Sequence, residues 1–258
     1  MDPVNLVSVI MPAHNSAVFI SESINSVLQQ NYTNLELIVI DDASTDETVS
    51  IVQGLIQKDP RILLIENRRN LGPGPSRNAG IKAAKGDFIA FLDSDDLWLA
   101  NKLEKQLRFM KKHNSKMCFS SYLLMNETGT RLPKMIEALP VLTYQKLLLS
   151  NYVGNLTGIY DARNGKYYAP ELWKRQDWGL WLSVIKQTGP ARGITEPLAV
   201  YRIRNNSLSR NKYALLKHNY LIYRDFLNLG ILKSTISMSR FLWEHFFVKS
   251  RQEKLLDK

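Results

Sequence analysis

The stretch Phe88–Leu97, Phe-Ile-Ala-Phe-Leu-Asp-Ser-Asp-Asp-Leu, constrains this chain more than any other. Its first five residues are apolar and β-prone, the pattern of a strand buried on both faces. Three carboxylates follow within four residues: Asp93, Asp95 and Asp96. Charges so close repel one another unless a cation sits among them. Asp93 and Asp95, two apart in extended chain, point the same way. Hard oxygen ligands of this kind suit Mg²⁺ or Mn²⁺, which keep waters and bind substrate phosphates. The plainer reading is a solvated loop in which Asp96 caps the next helix.

The residues before this stretch alternate in type. Leu6–Met11 is an apolar run closed by Pro12, and Ala17–Gln29 has apolar residues at helical spacing. Leu35–Ile40 is a second buried strand ending in Asp41-Asp42, and Ser44 with Glu47 predicts a capping box for a helix over Thr45–Gln57. Ile62–Ile65 is a third strand. A Gly/Pro loop, Asn67–Pro75, then leads into a helix over Ser76–Ala84. Such alternation predicts a parallel, right-handed α/β sheet with its acidic strand ends on one rim, where ligands collect. Arg77 would stand at that rim beside an anion-favouring helix N-terminus. Carboxylates, a metal and an arginine together suit a nucleotide diphosphate. Taken singly, Arg77 reads as a surface ion pair, and Asp41 and Asp42 as turn residues. No Gly-x-Gly-x-x-Gly turn follows the first strand, and no Gly-x-x-x-x-Gly-Lys-Ser/Thr loop occurs.

Charge is divided along the 258 residues. Residues 1–100 carry 7 Lys/Arg against 13 Asp/Glu, the remainder 27 against 11. An acidic first part suits a cation site, and a basic second part an anionic partner. The one cysteine, Cys118, lies in an apolar stretch, which predicts a buried thiol and a reducing compartment. No signal peptide and no membrane-spanning helix are expected.

Five segments carry a resemblance. They are Val7–Asn15, Asp41-Asp42-Ala43-Ser44-Thr45-Asp46, Asn70-Leu71-Gly72 with Arg77-Asn78-Ala79-Gly80, Asp93-Ser94-Asp95-Asp96, and Gln176-Asp177-Trp178 followed by Glu196–Arg202. In this order and spacing the chain resembles the family 2 glycosyltransferases, inverting enzymes with the GT-A fold. The resemblance implies a fold of one α/β domain over 1–205, with a nucleotide-sugar half at 1–100 and an acceptor half at 101–205. A basic, amphipathic helical tail would follow over 206–258. Pro12 and Ala13 would border the nucleobase, and Asp42, with Asp41 beside it, would accept the imide proton of uracil. Arg77 and Ser94 would lie near the nucleotide. Asp93 and Asp95 would be the acids of an Asp-x-Asp motif holding Mn²⁺ or Mg²⁺ on the UDP-sugar diphosphate, with Asp95 the more direct ligand. Asp177 would be the catalytic base. The residue before it is Gln176 where the family usually has Glu, so a second acid is lost there.

Inverting transfer needs a carboxylate to take the proton of the attacking hydroxyl and a cation to stabilise departing UDP. Asp177, opening an apolar helical pattern, would be a partly desolvated carboxylate; its plainer role is to favour the helix dipole. Asn155, Gln176 and Trp178 are the candidate acceptor contacts. The tail mixes aromatic and basic residues over Tyr213–Ser250, which suits an anionic membrane surface or packing onto the domain. No nucleic-acid module accompanies it. The chain thus reads as a UDP-sugar-dependent hexosyltransferase. It would transfer glucose or galactose to a lipid-linked saccharide such as an undecaprenyl-diphosphate-linked N-acetylhexosamine in O-antigen or other surface polysaccharide synthesis. It would work in the cytoplasm, peripherally on the inner membrane. The alternatives are a non-catalytic nucleotide-sugar-binding module and a nucleotidyltransferase.

Overall fold

The structure, a computed structural model, describes residues 5–204 and 212–256. Its first half alternates β1 (Val7–Ala13), α1 (Ile20–Leu28), β2 (Leu35–Asp41), α2 (Thr48–Ile56), β3 (Ile62–Glu66), α3 (Pro73–Ala83) and β4 (Phe88–Phe91). There follow β5 (Leu97–Trp98), α4 (Lys102–His113), β6 (Met117–Met125), β7 (Arg131–Ile136), β8 (Val141–Leu142) and α5 (Tyr144–Leu149). The chain closes with β9 (Ile159–Asp161), α6 (Gln176–Thr188), β10 (Ala191–Arg202), α7 (Lys212–Leu221), α8 (Ile231–Trp243) and β11 (Glu253–Leu255).

All of the strands join one sheet, in the order β11-β7-β6-β9-β4-β1-β2-β3, with β10 added on β6 and pairing also with β5 and β8. The first four strands are parallel, as expected. The second half departs from that expectation: β9 runs antiparallel between β4 and β6, and β7 and β11 continue antiparallel. A short turn suffices to join β6 to β7, whereas a parallel partner needs a crossover.

Side chains two apart in a strand share a face. Val7, Val9 and Met11 therefore enter one core with Ile20, Ile24, Val27, Val52 and Leu103, which puts α1, α2 and α4 on that side. Ile10, Ile38, Ile40 and Phe91 enter the other with Ile81, Trp178 and Trp181, which puts α3 and α6 there. The tail belongs to this second core. Ile222, Tyr223 and Phe241 are buried in it, and Trp178 packs edge-on against Tyr223 at 5.9 Å. Buried Glu244 accepts from the Tyr152 hydroxyl and pairs with Lys146. The break near Gly230 is present, since α8 starts at the next residue. Among the described residues no helix is long and apolar enough to cross a membrane.

The segment after β2 differs from its expected form. The Ser44–Glu47 box does not form, and α2 begins at Thr48. The Asp46 carboxylate takes the Thr48 N–H at 3.0 Å, because a short side chain reaches a donor two residues on. The Ser44 hydroxyl accepts the Asn15 N–H at 2.9 Å instead, and the Asn15 side-chain Oδ1 accepts the Thr45 N–H at 2.8 Å. These bonds stitch the loop after β2 to the loop after β1.

Candidate active site

The parallel strands deliver their carboxyl ends to one rim. There the Asp42 N–H donates to the Ala13 carbonyl at 2.8 Å, and Pro12, Ala13, Asp41 and Asp42 are all buried. The Asp42 carboxylate accepts from Asn67 Nδ2 at 2.8 Å, Leu71 N–H at 2.9 Å and Gly72 N–H at 2.7 Å. A carboxylate has about four acceptor positions, so one remains open on Asp42. Asp41 takes the Ser44 N–H at 2.9 Å with one oxygen, and its other oxygen is buried without a partner.

Arg77 is the hub of the site. Gly80, one turn along α3, lies so close to β1 and β2 that an added Cβ would come 2.6 Å from both Ile10 and Ile40. That close packing fixes the helix on the sheet with Arg77 at the rim. Arg77 is 5% exposed and pairs with Asp93 at 2.5 Å. Burial works against its charge; Asp93, Asp177 and Asp95 together outweigh that and hold the guanidinium above its ordinary value. One arginine thus pairs with the first acid after β4 and also feels the charge of Asp95 and of Asp177 in the first turn of α6.

The acidic cluster is held from the end of β10, in the Glu196–Arg202 segment of the resemblance and just beyond it, to which the sequence assigned no role. Arg204 pairs with Asp95 at 3.0 Å, and Arg202 gives its N–H to Asp96 at 2.9 Å and its Nε to the Asp95 carbonyl at 2.8 Å. Burial and the neighbouring Asp93 raise Asp95, with Arg204 opposing. Asp96 is driven well above the usual carboxylate range by burial, then by Asp95 and Asp93. Ser94 is tied by its hydroxyl to Ser16 at 2.7 Å. Among the described residues there is no ready-made cage of three ligands. Asp93 and Asp95 are instead a pair of hard donors whose mutual repulsion a divalent cation would relieve, and such a cation takes its remaining ligands from phosphates and water. The buried Arg77 Nε and Asn155 Oδ1, both without partners, mark polar space beside them. The residues fit Mg²⁺ or Mn²⁺.

Asp177 lies in the first turn of α6 and accepts from Asn151 Nδ2 at 2.8 Å. Asn155 approaches Asp93 at 3.4 Å. Gln176 is buried, its side chain 3.3 Å from where a Gly74 Cβ would stand, so it wedges α6 against α3. Trp178 requires a correction. It is fully buried among Tyr223 and Phe241, and its indole N–H donates to the Leu147 carbonyl at 2.8 Å. A side chain beside the base in sequence points a helical step away from it, so Trp178 meets the core and not an acceptor. The exposed aromatic is Trp173, 59% accessible beside Gly72; its place ahead of Gln176-Asp177 was the only signal for it.

The sequence model of Glycosyl transferase family 2 matches residues 8–167. The chain belongs to glycosyltransferase family 2. This glycosyltransferase is 40% identical to TuaG of Bacillus subtilis, whose name places that protein in teichuronic acid biosynthesis; the match covers 89% of this chain and 92% of TuaG. It is 39% identical to the Escherichia coli enzyme WfgD, a UDP-Glc:α-D-GlcNAc-diphosphoundecaprenol β-1,3-glucosyltransferase, over 86% of this chain and 87% of WfgD. Its fold is GT-A, like that of S. aureus TarS 1-349 crystallised with UDP-GlcNAc. That likeness has a TM-score of 0.71 at 23% identity and covers 94% of this chain and 73% of TarS 1-349.

Proposed function

We propose that this glycosyltransferase moves a hexose, glucose first and galactose second, from a UDP-sugar with inversion onto an N-acetylhexosamine linked through a diphosphate to undecaprenol. The observation that carries the reading is the pair of acids at the rim, Asp93 bound by buried Arg77 at 2.5 Å and Asp95 by Arg204 at 3.0 Å. Asp177, held by Asn151 and close enough for Arg77 to feel its charge, would supply the acceptor-side carboxylate that a single displacement needs. The name of WfgD supports the choice of glucose and of the acceptor class.

Pro12 and Ala13 would wall the base, with Asp41 and Asp42 receiving its polar edge. Asp93 and Asp95 would hold Mn²⁺ or Mg²⁺, which when bound neutralises charge developing on the UDP leaving group. Arg77 and Arg204 add fixed positive charge beside the same acids. Asp177, oriented by Asn151, takes the proton of the attacking hydroxyl. Asn155 would reach the sugar between Asp93 and the base, and Trp173 offers the acceptor ring an apolar face.

The tail would seat the enzyme on an anionic membrane. Phe241 and Glu244 are buried on one side of the α8 segment, while Ile231, Leu232, Trp243, Phe246 and Phe247 are 56–74% exposed on the other, among Lys233 and Arg251.

The test is turnover by purified protein with Mn²⁺, a panel of UDP-sugars and a synthetic diphosphate-linked N-acetylglucosamine. The expected result is product one hexose heavier from UDP-glucose, abolished by EDTA and by Asp95→Ala. Donor hydrolysis without product on this acceptor would reject the acceptor, and UDP release unaffected by EDTA would reject the metal.

A further inference from the structure

Cations from three parts of the chain gather near Arg175 and Asp177. Arg175 stands immediately before α6 in left-handed backbone, φ 66°, and its Nε donates to Asn219 Oδ1 at 2.6 Å, which pins the guanidinium. Lys249, from the turn after α8, donates to the Asn151 carbonyl and lies 5.7 Å from the Tyr152 ring centroid. Asn151 is the residue that holds Asp177, so a tail lysine and the base share one support. Lys174 and Lys217 complete the group: with burial, they and Arg175 lower His218 and favour its uncharged ring, whose Nδ1 is buried without a partner.

These charges disfavour one another. Burial and then Arg175 lower the Lys249 ammonium to about 8, with Asp177 opposing, and burial lowers Arg175, again with Asp177 opposing. Asp177 is the anion that opposes this at both Arg175 and Lys249. A second anion among them would oppose it further.

We propose that Arg175 and Lys249, rimmed by Lys174 and Lys217, form an anion subsite that grips the diphosphate of the lipid-linked acceptor. The proposal rests on the acceptor reading above and deepens it. In such an acceptor one sugar ring separates the attacked hydroxyl from the anomeric phosphate, so a diphosphate site belongs next to the base. The donor diphosphate has its own group, Asp93 and Asp95 with Arg77 and Arg204. The tail that supplies Lys249 also carries the exposed apolar face, which would bring headgroup recognition and lipid to the same edge.

The experiment is calorimetric titration of the full chain, saturated with UDP, by geranyl diphosphate and by geraniol. The wild type is expected to bind the diphosphate at least ten-fold more tightly than the alcohol. Lys249→Gln and Arg175→Gln are each expected to weaken diphosphate binding about ten-fold with UDP affinity unchanged, and Lys249→Arg to restore it. Exposed Lys217→Gln, expected to weaken it two- to three-fold, serves if a more buried change prevents folding. Equal binding by wild type and variants would overturn the subsite, as would a matching loss of UDP affinity. Displacement of geranyl diphosphate by phosphatidylglycerol bicelles at equal phosphate would also overturn it, by assigning the cations to bulk lipid headgroups. Lys249-dependent binding without hexose transfer to a diphosphate-linked acceptor would keep the subsite and reject the acceptor reading.

Discussion

Lys102 is the residue least suited to its surroundings. It is fully buried, donates to Gln106 Oε1 at 2.7 Å and lies 3.9 Å from the Trp98 ring centroid. No carboxylate pairs with it among the described residues, and burial lowers it from 10.5 to about 7. The unfolded chain therefore binds more protons than the folded one between about pH 7 and 10.5, and stability from this group rises with pH across that window. Lys102→Met is expected to raise stability at pH 7.5 by ~2–4 kcal/mol and to flatten the slope of unfolding free energy between pH 7 and 9. The upper limit matters, because Cys118, pushed up to about 12 by burial, contributes the opposite slope above pH 9. Urea titrations across that range check it; an unchanged slope contradicts it. Lys102 was not legible in the sequence, since a lysine opening a helix reads as solvated. Asp93 and Asp95 were legible because clustered carboxylates at a strand end have few other uses. The contacts of Arg202 and Arg204 with these acids were not, because strand order brings the end of β10 to the cluster.

At the scale of elements, α3 positions the chemistry. An alanine at Gly80 would gain about 1 kcal/mol of helix propensity, but its Cβ would stand 2.6 Å from two buried isoleucines. Overpacking of that kind costs roughly 1–3 kcal/mol, so the clash wins narrowly in stability. The effect on the site should be larger, because a helix lifted from the sheet carries Arg77 with it. Gly80→Ala is expected to lose about 1 kcal/mol of stability and to weaken UDP affinity several-fold, measured by urea unfolding and calorimetry; unchanged UDP affinity would contradict the role given to α3. The first four strands were readable from apolar runs. The mixed second half was not, since β6, β9 and β10 find their partners through contacts far apart in sequence. The start of α2 was misread for a local reason, because Ser44 is drawn to Asn15 and Asp46 takes the Thr48 N–H.

At the scale of the molecule, the acidic and basic parts of the sequence meet at the rim. The carboxylates stand at the ends of β2 and β4; beside Arg77 of α3, the cations come from the end of β10 and just beyond it, from the residue before α6 and from the tail. The tail's packing was half legible: its aromatic and basic pattern suits both a core and a membrane, and the structure gives Phe241 to the first and leaves Phe246 65% exposed. Burying a large apolar side chain contributes about 1.5–3 kcal/mol. Leu232→Glu with Phe246→Glu is therefore expected to cut partitioning onto phosphatidylglycerol vesicles at least ten-fold while leaving turnover of a short-chain soluble acceptor unchanged. Unaltered partitioning in a sedimentation assay would remove the membrane role of this face.

The most direct measurement is turnover of Asp177→Asn against its affinity for UDP. The substitution keeps size and a hydrogen-bonding oxygen but cannot take a proton. A base at this position contributes about 10²–10⁴-fold, so kcat should fall by that factor while UDP binding stays within about two-fold of the wild type. Near-normal turnover by Asp177→Asn would contradict the account, and the proton would then have to go elsewhere than the carboxylate whose charge Arg77 feels.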